Sequence, residues 1–342
     1  MAMKISKIQF HQWLESLMPE YELVAPVQDG GFVNFKAVES TGAIKTAYLN
    51  SKLPPKMVFF PQYEKMISYK IDGKNVAVTD HIDNAKRIIF GMRPCDTKSM
   101  LLLDKVFEND MYRDPYYCNR RDNTVIISLA CPKPAATCFC SSLGLAPAGT
   151  EGADILAIDL GEDYYLEKVT DKGGELLKTL PAMSSLTAAD EDRVGYVKAL
   201  STGEDLTVDP AAIAEKLENM FEHSFWDTLH EKCVSCNTCS FNCPTCHCFD
   251  IKEEVCGNEG CRVRTWDCCM STLFTKHGSG HNPRDGKKSR WRQRLQHKFN
   301  YFLKNNGEVS CVGCGRCVRN CPVNFDIRQA IDGVNKVEEV VK

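Results

Sequence analysis

Cys233, Cys236, Cys239 and Cys243 stand in a C-x2-C-x2-C-x3-C run closed by Pro244, and Cys311, Cys314, Cys317 and Cys321, closed by Pro322, repeat it. Cysteines at this spacing let one tight loop wrap three corners of an iron-sulfur cube, while the fourth leaves on a segment started by proline and reaches a neighbouring cube. The pattern predicts two [4Fe-4S] clusters. Cys233, Cys236, Cys239 and Cys321 would hold one, and Cys311, Cys314, Cys317 and Cys243 the other. Tetrahedral zinc is the competing chemistry, since paired C-x-x-C units also hold that ion. Zinc modules typically use pairs, whereas two triplets each ending in Cys-Pro favour clusters.

Four more cysteines are candidates by position rather than spacing. Cys95 and Cys131 each follow an apolar strand-like run, and a right-handed crossover between parallel strands would bring both to one sheet edge. Cys138 and Cys140 follow in the next loop. Four thiolates converging there would hold a third cubane. The alternative is ordinary buried cysteine, because C-x6-C-x-C is not a standard cluster spacing.

The elements that must position these groups fall into two regions. Strand-like runs at Phe32 to Val38, Met57 to Phe60, Arg87 to Met92 and Thr124 to Ala130 dominate the first. Between the last two, Met100, Leu103 and Phe107 recur on one helical face, which gives a β-α-β unit. The unbroken apolar character of both strands suits a mostly parallel sheet covered on both faces. Strands at Asp154 to Leu160 and Tyr164 to Val169 follow, then a helix capped by Asp209-Pro210. The apolar β pattern stops and the cysteine-rich pattern starts between Thr202 and Thr228. An α/β domain over 1–215 and an α-helical, ferredoxin-like dicluster domain over 216–342 are therefore expected.

The second region repeats internally: CVSCNTCSFNCP leads to Phe249-Asp250-Ile251, and CVGCGRCVRNCP leads to Phe325-Asp326-Ile327. The 67 residues between Cys243 and Cys311 exceed what a compact bacterial ferredoxin needs, and helices are expected to fill them. The clearest helix begins near Trp291, with Leu295, Phe299 and Phe302 on one face and Gly307 as its stop.

Composition bounds the setting. Of 19 cysteines in 342 residues, 14 lie between Cys233 and Cys321, a distribution that suits metal binding in a reducing compartment better than a secreted disulfide framework. A net charge of -3 gives no global reason to expect nucleic acid or an anionic membrane. No apolar run approaches the roughly 20 residues of a membrane span, and the N-terminal stretch lacks the features of an export signal. A cytoplasmic location is expected.

The stretch Arg284 to Lys298 carries seven Lys or Arg residues against one acid. Those charges would lie on a solvated face, dock a partner, or offset thiolate-ligated clusters; a zinc-stabilised nucleic-acid-binding module is the contrasting reading. His277, His281 and His297 are read as hydrogen-bonding or surface residues. Tyr112, Asp114, Tyr116, Arg120 and Arg121 suit either helix-loop packing or a partner. No dinucleotide fingerprint, Walker loop, HExxH motif or nucleophile-base arrangement appears, so the expected chemistry is electron conduction without a catalytic residue.

Taken together, the two runs, Cys243-Pro244-Thr245-Cys246 with Cys248, Trp266 with Cys269, Gly280-His281-Asn282-Pro283-Arg284, Arg93-Pro94-Cys95-Asp96 and Cys138-Phe139-Cys140 make the chain resemble a known family. That family is the dicluster iron-sulfur subunits, comprising the A-type subunit of anaerobic sulfite reductase and the β subunit of cytoplasmic NiFe sulfhydrogenases. The resemblance covers nearly the whole chain. It implies a complex of anaerobic metabolism in which electrons pass between a flavin subunit that handles NAD(P)H and a catalytic subunit, either NiFe hydrogenase, sirohaem sulfite reductase or another enzyme. Cys246, Cys248 and Cys269 recur in the family pattern as unassigned candidates for a further metal site or a cluster lining. Cys256 and Cys261 are read as incidental residues of a Gly-rich loop.

Overall fold

The computed structural model describes residues 3–181, 183–203 and 206–338. Residues 1 and 2 of the stretch read for an export signal, and 204 and 205 of the expected boundary region, lie outside them. In chain order the first elements are β1 (Met3–Ser6), α1 (Lys7–Leu17), β2 (Glu22–Asp29), β3 (Phe32–Ala37), β4 (Tyr63–Asp72), β5 (Asn75–Asp80) and β6 (Arg87–Met92). Then come α2 (Pro94–Phe107), β7 (Glu108–Asn109), β8 (Tyr112–Arg113), α3 (Pro115–Asp122), β9 (Thr124–Leu129), β10 (Ile155–Asp159) and β11 (Asp163–Lys168). They are followed by α4 (Asp171–Leu177), β12 (Ser184–Ser185), α5 (Ala188–Lys198), α6 (Pro210–Asn219), α7 (Phe225–Leu229) and α8 (Thr238–Phe241). The remainder is β13 (Phe249–Cys256), β14 (Glu259–Trp266), α9 (Lys287–Gln296), α10 (Phe302–Asn306), α11 (Arg316–Arg319) and α12 (Ile327–Lys336).

The chain forms two compact units. Met1–Phe60, Ile82–Gly203 and Val312–Cys314 make the first; Pro61–His81, Glu204–Cys311 and Gly315–Lys342 make the second.

The first unit is built on an eight-stranded sheet in the order β12-β1-β11-β10-β9-β6-β2-β3. Only its centre is parallel, through the β2–β6, β6–β9 and β9–β10 pairings. The pairings on either side are antiparallel, so the sheet is mixed rather than mostly parallel. The reason lies in the connections: tight turns join β2 to β3 and β10 to β11, and only a longer crossover can return a strand in parallel. The β-α-β unit lies where the sequence suggests. Every residue of β6 and β9 is buried, and α2 packs Met100, Leu103 and Phe107 inward between them. Phe10 of α1 meets Phe90 and Tyr164 with ring centroids 5.0 Å from each, in a core completed by Trp13, Ile88, Ile127 and Ile155. Met57 to Phe60, which reads as strand, instead lies in and just after a 3-10 turn over Pro55–Val58, started by a proline that fixes φ.

In the second unit β13-β14-β4-β5 form an antiparallel sheet. This corrects the expectation that helices fill the interval between the cysteine runs. Phe249 to Trp266 is a β-hairpin, its alternating charged and apolar residues fitting the strand period better than the helical one. Cys256 ends β13 and Cys261 lies within β14, so neither belongs to a Gly-rich loop. Helix α9 does begin near Trp291. It passes through one π-helical stretch, His297–Tyr301, into α10 and stops at Gly307, whose φ of 75° suits glycine. Trp291, Leu295, Phe299 and Phe302 are all buried.

Candidate iron-sulfur sites

The two cysteine runs share a backbone conformation that explains their spacing. Ser235 and Asn237 have φ of 54° and 63°, and at the same places in the second run Gly313 and Gly315 have φ of 60° and 70°. Alternation of left-handed and ordinary residues turns successive N–H groups to one side, making the concave nest that suits an anionic cluster. The backbone N–H of Ser235 donates to Cys233 Sγ at 3.3 Å, and that of Phe325 donates to Cys321 Sγ at 3.2 Å. Such bonds favour a sulfur carrying negative charge.

Cys233, Cys236, Cys239 and Cys321 are brought together around one cavity, which Cys317, Met270, Trp291, Arg294 and Phe325 also line. Two buried donors on that lining, Trp291 Nε1 and Arg294 Nε, have no hydrogen-bond partner. A thiol-lined cavity with unspent N–H donors fits a sulfide-bearing cluster. Among the described residues, no three His, Cys, Asp or Glu side chains converge as a single metal ion would require.

Of the second set, Cys243, Cys311 and Cys317 belong to the second unit and Cys314 to the first. Cys243 is buried with its sulfur 3.2 Å from Thr245 Oγ1, and it receives a hydrogen bond from Lys298 Nζ at 3.4 Å. The same ammonium donates to Thr245 Oγ1 at 3.0 Å and to the Ser310 carbonyl at 2.8 Å. A hydrogen bond from Cys246, with the charges of Lys298 and Arg294, draws the Cys243 thiol well below its usual range despite burial. Burial opposes the charge of Lys298, but Cys243 and Cys246 overcome it and raise its pKa above that of an ordinary lysine.

The basic stretch therefore has a resolved role at its buried positions. Arg290, Arg294 and Lys298 recur every fourth residue and are all buried. Arg294 donates to the Cys239 carbonyl at 2.9 Å, to Ser240 Oγ at 3.0 Å and to Cys246 Sγ at 3.7 Å. Lys287 donates to the Cys233 carbonyl, Lys288 pairs with Asp227 and Arg292 with Glu222. These cations hold the second unit together around its sulfurs. Of the three roles the charges could take, Arg294 and Lys298 take that of sulfur partners; the sequence did not single them out from the rest of the stretch, and their four-residue spacing along the helix was the available signal.

Cys95, Cys131, Cys138 and Cys140 are also brought together. With Asn50, Arg93, Pro134, Pro147 and Cys314 they line a cavity in the first unit. Cys95 lies in the first turn of α2, directly after Pro94, where the helix N-terminus favours a thiolate. Cys131 follows β9, and its N–H is fixed to the Pro147 carbonyl at 2.8 Å. Arg93 frames the site. Its guanidinium donates to the carbonyls of Leu49, Leu129, Ala130, Thr46 and Tyr48 while stacking over the Tyr48 ring. Asn50 Nδ2 donates to the Cys314 carbonyl at 3.0 Å, and the Cys138 thiol approaches the same oxygen at 3.8 Å. Burial, followed by the nearby Cys138 and Cys131, pushes the Cys140 thiol up to about 11. Burial also raises Cys131, with Arg93 opposing.

Tyr112, Asp114, Tyr116, Arg120 and Arg121 serve the packing of α2 and α3. Asp114 caps α3 by accepting from Tyr117 N, Arg120 pairs with Asp83, and Arg121 pairs with Asp104.

Comparison with known proteins agrees with the cysteine runs. The family model for the 4Fe-4S dicluster domain matches residues 232–325. Over 336 residues the chain is 29% identical to sulfhydrogenase 2 subunit beta of Pyrococcus furiosus, spanning 97% of this chain and 98% of that protein. No solved structure matches. No helix among the described residues is long and apolar enough to cross a membrane.

Proposed function

Because the chain belongs to the dicluster [4Fe-4S] electron-transfer subunit family, we propose that it conducts electrons within a multisubunit oxidoreductase of anaerobic metabolism in the cytoplasm. In this reading it connects a flavin-binding subunit that handles NAD(P)H with a catalytic redox subunit. That second partner would be a NiFe hydrogenase, a sirohaem sulfite reductase or a similar enzyme. The observation that carries the proposal is the cavity of Cys233, Cys236, Cys239 and Cys321, which unites the first triplet with the last cysteine of the second run. Those four residues hold one cluster, and Cys311, Cys314, Cys317 and Cys243 hold the other. Cys95, Cys131, Cys138 and Cys140 hold a third.

A [4Fe-4S] cluster takes up and releases one electron at a time. The residues of this chain decide how readily. Arg294 and Lys298 offset thiolate charge from a buried position, and the Ser235 and Phe325 amides donate to ligand sulfurs. Trp291 and Phe325, stacked at 3.9 Å between ring centroids, form an aromatic part of the first cavity's lining.

Anaerobic reconstitution tests the proposal. About twelve irons per chain, with a broad absorption bleached by dithionite, are expected for three clusters. A plateau near eight irons removes the third site, and a colourless zinc-loaded protein overturns the proposal. Affinity purification under anaerobic conditions identifies the catalytic partner through the enzyme that accompanies the chain.

A further inference from the structure

Four cysteines of the second unit stand outside the three ligand sets yet form a continuous sulfur-rich patch: Cys246, Cys248, Cys268 and Cys269. Cys268 and Cys269 are buried with Met270 and Trp291, and Cys248, Cys233 and Cys239 pack against them. The β13–β14 hairpin creates this meeting. Its register runs from Cys256 opposite Glu259 to Phe249 opposite Trp266. One step further, the Asp267 N–H donates to the Cys248 carbonyl at 2.9 Å. The chain then turns inward, with the Cys268 N–H bonded to Asp267 Oδ1 and the Met270 N–H donating to Cys268 Sγ at 3.3 Å. Cys248 thereby packs against the hydrophobic cluster that holds Cys268 and Cys269. Cys248, Cys268 and Cys269 are not in disulfides in the structure.

We propose that Cys248 and Cys269 are a redox-active dithiol-disulfide pair beside the cluster site of Cys233, Cys236, Cys239 and Cys321. In its oxidation both S–H bonds break, one S–S bond forms, two protons leave to water and two electrons depart. The oxidant is the adjacent iron-sulfur centre, taking those electrons one at a time; in that respect the inference rests on the proposed function. The pair thus stores two electrons beside a one-electron conductor. Thiols packed in one hydrophobic cluster, with no convergence of three ligands on one ion among the described residues, suit bond formation between the sulfurs better than metal binding.

The experiment equilibrates the anaerobically purified full chain in dithiothreitol buffers of stepped potential, quenches it in acid, alkylates free thiols and maps peptides by mass spectrometry. The expected result is a Cys248–Cys269 crosslink that titrates with a two-electron slope. It should vanish in Cys248→Ser and Cys269→Ser, persist in Cys261→Ser, and leave iron per chain unchanged in all three. Full alkylation of both cysteines at every potential overturns the proposal. So does loss of about four irons in Cys248→Ser or Cys269→Ser, which would make the altered residue a cluster ligand. A wild-type protein without iron overturns the electron-transfer reading instead, while the peptide map still reports on the pair.

Discussion

Lys298 carries an ammonium into a buried position where its partners are the Cys243 sulfur, a threonine hydroxyl and a backbone carbonyl. A cation beside a cluster ligand favours the more negative, reduced state. Lys298→Met should therefore move the midpoint potential of the centre proposed to hold Cys243 downward. A hydrogen bond to a charged group contributes about 1.5–3 kcal/mol, equivalent to about 65–130 mV for one electron. A redox titration followed by electron paramagnetic resonance reads the shift, and an unchanged or raised potential would refute the role. Cys118 makes the opposite case, a thiol with structural work only. Its residue is 1% exposed, and burial, with Glu108, Asp114 and Asp122 reinforcing and Arg113 opposing, pushes its pKa up to about 11. A raised folded value means that this contribution to stability is complete below the unfolded value, about 8.5, and is lost as pH rises through about 11. Iodoacetamide at pH 8 should leave Cys118 unlabelled in the folded chain and label it once denatured.

At the scale of elements, the two cluster loops have one conformation but different tolerance. A Cβ on Gly313 would stand 2.5 Å from backbone atoms of Phe139 and Cys140, at a positive φ. Ser235, in the matching place, already carries a side chain at φ 54°. Gly313→Ser should thus destabilise the first unit by about 1–3 kcal/mol or more, whereas Ser235→Gly should change stability by less than about 1 kcal/mol. Denaturant titration of each variant checks the asymmetry; equal losses would contradict it. The β4–β14 pairing offers a second test. Arg264 donates through Nε and Nη2 to Glu64 Oε2 at 2.8 and 2.5 Å, with both side chains 1% exposed. Glu64→Ala leaves a buried guanidinium without its counter-charge and should cost about 3–5 kcal/mol. A loss below about 1 kcal/mol in the same measurement would show that the pair is not what fixes those strands.

At the scale of the whole molecule, the three proposed cluster sites make separable predictions. Cys131→Ser should remove about four of about twelve irons while the characteristic absorption of the others remains; Cys236→Ser should remove a different four. Iron analysis with Mössbauer or electron paramagnetic resonance spectra distinguishes the two. Equal iron in Cys131→Ser and wild type would leave the N-terminal cysteines as packing residues.

The sequence by itself determined the local matters: the repeated cysteine runs, the β-α-β unit around Cys95, the Asp209-Pro210 cap and the apolar face of the helix at Trp291. Each is written in spacing over a few residues, because cluster loops, caps and helix faces are short-range structures. Tertiary structure alone decided the rest. Sheet order depends on pairing partners far apart in sequence, so the mixed sheet was not legible in its buried strands. The hairpin within the cysteine-rich region takes β4 as partner, from nearly 200 residues earlier, and therefore did not announce itself as part of a sheet. Its register ends with Asp267 bonded to Cys248, which packs Cys248 against the hydrophobic cluster of Cys268 and Cys269, and the four-residue recurrence of Arg294 and Lys298 becomes a charge arrangement only once the helix lies against sulfur.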